Sequence, residues 1–91
     1  MAIDNSSTVV LREACDYMAG AEKSESLDEL HGYGDRLKNT LEAIDRTALD
    51  PDTRHVIENA IRHAVNAQRA VSPEGGRHDV REAHKLIAGL I

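Results

Sequence analysis

Five histidines in a chain of 91 residues are the side chains best suited to acid–base or metal chemistry. His31 stands in the first half, and His55, His63, His78 and His84 fall in the second. Zinc-binding helices place two ligands four residues apart on one face, and further Cys, His or carboxylate groups complete the tetrahedron. His55 and His63 are eight apart, which turns them roughly 80° from each other on a helix. His78 and His84, six apart, also miss a common face. No metal ligand, catalytic residue or bound cofactor is therefore expected, and the chain reads as a non-enzyme. His55 reads as solvated and His63 as lying at a packing edge. A site assembled across an oligomer interface is the one enzymatic alternative.

Cys15 is the single cysteine, so no internal disulfide forms and no oxidising compartment is indicated. It sits near the edge of an apolar helical face with no signature of a basic partner, the pattern of a packed thiol rather than a nucleophile. Gly32-Tyr33-Gly34 is a lone GxG inside a helical pattern. Gly75-Gly76 lacks the Lys-Ser/Thr that would follow in a phosphate loop.

The segment Arg81-Glu82-Ala83-His84-Lys85-Leu86-Ile87-Ala88-Gly89 resembles the active helix of histidine phosphotransfer domains, which are four-helix bundles. That family carries a Lys three residues after its His and a Gly at four. Ile87 and Ala88 stand at those two positions here, Lys85 is adjacent to His84, and the segment lies in the last helix. The likeness covers fewer than ten residues, and a phosphoacceptor role is not carried over to His84.

These side chains must be positioned by helices, because apolar residues recur with a period near 3.6 in four stretches and no strand-type alternation persists. The expected helices span 8–21, 26–48, 51–71 and 78–90, in one helical domain over 1–91. Asn5-Ser6-Ser7 reads as a cap-rich lead-in. Ser26 and Glu29 fit a capping box, and Asp50-Pro51-Asp52 is a restart signal with Asp50 as N-cap and Pro51 at the first helical position. Ser72-Pro73-Glu74-Gly75-Gly76 reads as a break. The expected fold is all-α: an antiparallel helical bundle built on a long hairpin of the second and third helices, with two shorter flanking helices.

On a helical wheel the second helix concentrates Leu27, Leu30, Gly34, Leu37, Leu41, Ile44 and Ala48, widened by Tyr33, into an arc of roughly 120°, suited to one partner groove. Gly34 lies on that seam, whereas Gly32 lies on the polar side and has no evident reason there. The third helix differs, because its Val, Ile and Ala residues sweep roughly 220°. If the outer helices are short, part of this arc stays open. Val56, Ala60, His63, Ala64, Ala67 and Val71 are then the expected partner or dimer interface, and a homodimer is the expected assembly. The twelve alanines and the absence of Phe and Trp fit close helix packing.

The net charge is −5. Residues 1–48 carry ten acids against five Lys/Arg, and the remainder carries six of each. Acidity argues against a general nucleic-acid partner, since phosphate contacts need clustered cations. No apolar run approaches the ~20 residues of a membrane span, and no basic stretch leads into an apolar one near the start. A cytoplasmic protein with no membrane partner is expected. The leading functional expectation is a small non-catalytic interaction or regulatory protein (an adaptor, chaperone or inhibitor) that binds another protein through an apolar helical surface. One alternative is an acidic inhibitor that occludes a nucleic-acid-binding groove with Asp16, Glu22, Glu25, Asp28, Glu29 and Asp35. The other is a small nucleic-acid-binding regulator that uses the basic stripe Arg77, Arg81 and Lys85.

Overall fold

A computed structural model describes residues 5–90. They form four α-helices, α1 (Asn5–Glu22), α2 (Leu27–Glu42), α3 (Pro51–Gln68) and α4 (Pro73–Ala88), with a 3₁₀ turn at Arg46–Ala48 and no strand among the described residues. The all-α bundle is as expected, but the helices have 18, 16, 18 and 16 residues, so no long hairpin with short flanking helices exists. Successive helices pack side by side and α4 returns to α1. The ring closes in an envelope of 36 × 19 × 19 Å, with α2 and α4 meeting across the middle.

Each boundary that differs from expectation has a local cause. The cap-rich Asn5-Ser6-Ser7 is itself helical, so α1 starts earlier than its caps suggest. Ser26 caps α2 through its hydroxyl, which accepts from the Glu29 N–H. The helix stops at Glu42 rather than 48. Asp45 diverts the chain by accepting both the backbone N–H and the hydroxyl of Thr47, the local bonding by which Asp competes with a helix. The eight-residue link is then pinned by Arg54, which donates to the carbonyls of Arg46 and Leu49, each at 3.1 Å. Leu49 is thereby tucked into the core.

Asp50 and Pro51 start α3 as expected, with Asp50 accepting from both the backbone and the hydroxyl of Thr53. Ser72 and Pro73 act in the same way for α4: the Ser72 hydroxyl accepts from Gly75 N–H at 3.1 Å, and Pro73 occupies the first turn. The stretch expected to break the chain is thus a helix start, because Pro lacks only an N–H that has no partner in the first turn anyway. This adds five residues to α4 at its N-terminal end.

The core takes large side chains from all four helices, Ile57 among them from α3, and sets them against the small residues that dominate the rest of the buried face of α3. Leu11, Met18, Leu30, Leu37, Leu41, Val80 and Ile87 are fully buried, as are Ala60, Ala64 and Ala67. Each fully buried Leu, Ile, Val or Met contributes about 1.5–3 kcal/mol. Two glycines permit the approach of neighbouring elements. A Cβ on Gly34 would lie 2.6 Å from the Gln68 backbone nitrogen, so α2 and α3 touch backbone to backbone there. One on Gly76 would lie 2.9 Å from Leu30 Cγ, deep between α2 and α4.

Candidate interaction surfaces

The wide apolar arc of α3 is real, and α2 and α4 close over it from its two sides. Ala60, Ala64 and Ala67 lie wholly inside the chain's own core, so they present nothing to a second molecule. The expectation of an open strip followed from giving α2 and α3 too many residues and α1 and α4 too few. Val71 falls beyond the end of α3 and is 94% exposed, the most exposed large apolar residue described, with Val9 next at 62%. The six residues grouped from the wheel therefore do not form one surface. Val56 remains accessible at one end of the bundle, where it joins Leu90, Thr53, Asp50 and Asp52 around an open cleft of about 470 Å³. The turn that follows α4 and the first turns of α3 meet at this cleft because the two helices run antiparallel.

Three of the five histidines tie neighbouring helices together. His31 Nε2 lies 2.7 Å from the carbonyl of Ala70 and must carry the proton to donate to it, joining α2 to the end of α3. His63 Nδ1 lies 2.9 Å from Asp79 Oδ1, and Asn66 Nδ2 donates more weakly to the same oxygen at 3.5 Å, joining α3 to α4. His84 Nδ1 lies 3.3 Å from Glu22 Oε1, joining α4 to α1. His63 thus has a specific carboxylate partner at the packing edge where the wheel put it. His55 and His78 are exposed. A carboxylate holding imidazole Nδ1 fixes the tautomer, a geometry shared by acid–base sites and structural staples. Among the described residues no group of three or more His, Cys, Asp or Glu side chains is placed to hold a metal ion.

The acids named from the sequence separate in space. Glu22 turns to His84, and Asp35 accepts from Gln68 Nε2 at 2.9 Å. Asp16 and Glu25 are exposed on α1 and on the α1–α2 link. Asp28 and Glu29 border a groove of about 380 Å³ with Gly32, Tyr33 and Arg36, whose guanidinium lies 5.9 Å from the Tyr33 ring centre. The carboxylates of Asp45 and Asp50 are held below their ordinary range, chiefly by hydrogen bonds from the hydroxyls of Thr47 and Thr53 respectively. Both serve as caps, so the cause is structural.

Along α4 the basic residues have different partners. Arg77 is half-buried and donates to the Ser24 carbonyl at 2.7 Å, closing the α1–α2 link against α4. Lys85 makes an exposed pair with Glu82 at 3.3 Å. Arg81 and Lys85, with His84, Glu22 and Ala88, line a groove of about 250 Å³ between α1 and α4. Cys15 is half-buried on α1, and burial together with the neighbouring Asp16 charge pushes its thiol up, away from the reactive thiolate.

The histidine–carboxylate pairs escaped sequence reasoning because their members are 16 and 62 residues apart, with no shared periodicity to connect them. Leu90 escaped as a surface residue because only the antiparallel return of α4 brings it to Val56. Among the described residues no helix is long and apolar enough to cross a membrane. Comparison with known protein families, with curated proteins and with solved structures finds no match.

Proposed function

We propose that this chain is a small non-catalytic interaction protein that binds another protein through the end cleft between α3 and α4. The observation carrying this reading is the cleft itself: Val56 and Leu90 offer apolar surface, and Asp50 and Asp52 set negative charge on its rim. Such a lining suits an apolar side chain flanked by Lys or Arg on the partner, since burial supplies affinity and the rim carboxylates supply orientation and steering. The role is binding alone, as adaptor, chaperone or inhibitor. A second copy of this chain is one such partner, meeting the first at this end rather than along α3.

Capture from native lysate tests the reading, using the wild type, Val56→Glu and the exposed control Arg62→Glu. A partner held by the wild type and Arg62→Glu but lost by Val56→Glu supports the cleft. Equal capture by all three rejects it. Sedimentation of the free chain separates self-association from binding of a different protein.

A further inference from the structure

We propose that the outer face of α2 around Gly32 pairs with the same face of a second copy of this chain, the two α2 helices running antiparallel with Gly32 at the two-fold centre. The face lies in the half of α2 nearest the α1–α2 link, so this pairing leaves the end cleft free for a different protein.

The first ground is Gly32 itself. All six glycines lie among the described residues, and at every one but Gly32 a Cβ would meet an atom of its own chain within 4 Å. A glycine in the middle of a helix weakens it. Gly20, Gly34 and Gly76 return a close approach to Tyr33, to the α3 backbone and to Leu30 respectively, whereas Gly32 returns nothing inside the chain. It lies instead on the wall of an open groove of about 380 Å³, beside Asp28, Glu29, Tyr33 and Arg36. A missing side chain at such a point lets another backbone come close.

The second ground is the order of charges along the groove. Asp28 and Glu29 stand one turn before Gly32, and Arg36 stands one turn after it. Asp28 and Arg36 are about 12 Å apart along the helix, too far to pair within one chain. Arg36 is exposed and makes no ion pair among the described residues, and its guanidinium lies 5.9 Å from the Tyr33 ring centre at the edge of the groove. Asp35, at the border of the face, is held by Gln68 of α3. A two-fold axis through Gly32 brings the acids of one copy level with Arg36 of the second copy, and the reverse, so the face complements itself. Parallel pairing sets acids against acids. The face offers little apolar area, and the association is accordingly weak, reversible and sensitive to salt.

Sedimentation of the full chain from dilute solution up to about 1 mM, at about 50 mM salt, tests the pairing. The mass should rise toward that of two chains. Gly32→Ala should weaken association by about tenfold although it stabilises the single chain, and a glycine with a purely internal role cannot give those opposite signs. Arg36→Glu and the double variant Asp28→Arg/Glu29→Arg should each lose self-association. An equimolar mixture of the two should restore it, because each then carries the charge that the other lacks. All three positions are exposed, and circular dichroism checks that the helices are kept. Val56→Glu should leave the association unchanged within about twofold, so this surface and the end cleft fail separately. A wild type that stays monomeric up to about 1 mM overturns the proposal, as does undiminished association of Arg36→Glu or a mixture that restores nothing. Association lost by Val56→Glu but kept by Gly32→Ala also overturns it and assigns the pairing to the end cleft.

Discussion

Two glycines two residues apart in α2 should respond to the same substitution with opposite signs. At Gly32 a Cβ meets nothing within 4 Å, and the backbone φ is not in the left-handed region. Replacing this exposed mid-helix Gly by Ala removes the entropic penalty of glycine, a gain of about 1 kcal/mol. At Gly34 the same Cβ would lie 2.6 Å from Gln68 N, 2.9 Å from Gln68 Cα and 3.1 Å from Ala67 C. All three are backbone atoms of α3 and its C-cap is one residue on, so no side chain can rotate away. Ordinary Cβ contacts begin near 3.4 Å, and α2 and α3 must part locally by about 1 Å. Overpacking of this kind costs about 1–3 kcal/mol, against which the helix-propensity gain of about 1 kcal/mol is set. The parting also strains the His31–Ala70 and Asp35–Gln68 bonds that flank Gly34. Gly34→Ala should therefore lose about 1–2 kcal/mol net while Gly32→Ala gains about 1. At roughly 4–8 °C per kcal/mol for a domain of this size, thermal melts followed by circular dichroism separate the two variants by more than about 8 °C. Urea melts with unchanged slope should give the same order. Gly34→Ala at or above the wild type would show that α2 and α3 are not in backbone contact, and the packing of small residues along α3 would need another explanation.

Further expectations concern single contacts. The Asp45 and Asp50 carboxylates lie below their ordinary range in the fold, so their stabilisation is complete above the ordinary carboxylate pKa of about 4 and is lost as pH falls through the folded values. Asp50→Ala should lower the melting temperature at neutral pH, and its gap from the wild type should narrow below about pH 4; a gap independent of pH refutes the assignment. A double-mutant cycle of His63→Ala and Asp79→Ala should show a coupling of about 1 kcal/mol, and additive effects would mean that the 2.9 Å bond adds nothing in solution. Cys15, with its thiol raised by burial and by Asp16, should react with iodoacetamide several-fold more slowly at pH 7 than in the urea-unfolded chain, whereas equal rates would contradict its placement.

Much of the fold was legible because helix starts and amphipathic faces are local. Ser26-to-Glu29 and Asp50-Pro51 declare their caps within four residues, and the Leu30, Leu37 and Leu41 stripe declares the buried side of α2. Ser72-Pro73 carries the same start signal, obscured by Gly75-Gly76, whose two glycines look like a breaker until Leu30 is seen to need the space at Gly76. The end of α2 depended on Asp45 finding Thr47, a local bond that competes with a helical pattern continuing on through Ile44 and Ala48. Of the candidate surfaces, the cations of α4 could be read from their four-residue spacing. The groove they edge could not, since its other wall belongs to α1.

The sequence alone determined the helical class, the four periodic stretches and the Ala-rich face of α3, because each depends on residues within a turn or two of one another. Which side of each face meets which neighbour was decided only in three dimensions. A 220° arc does not reveal whether its cover comes from the same chain. Four helices of nearly equal length, with Gly34 and Gly76 letting them approach, supply that cover from within. The same closure leaves Val56 and Leu90 together at one end and Arg81 and Lys85 along one seam. Those juxtapositions join residues far apart in the chain, and only the packing of the bundle creates them.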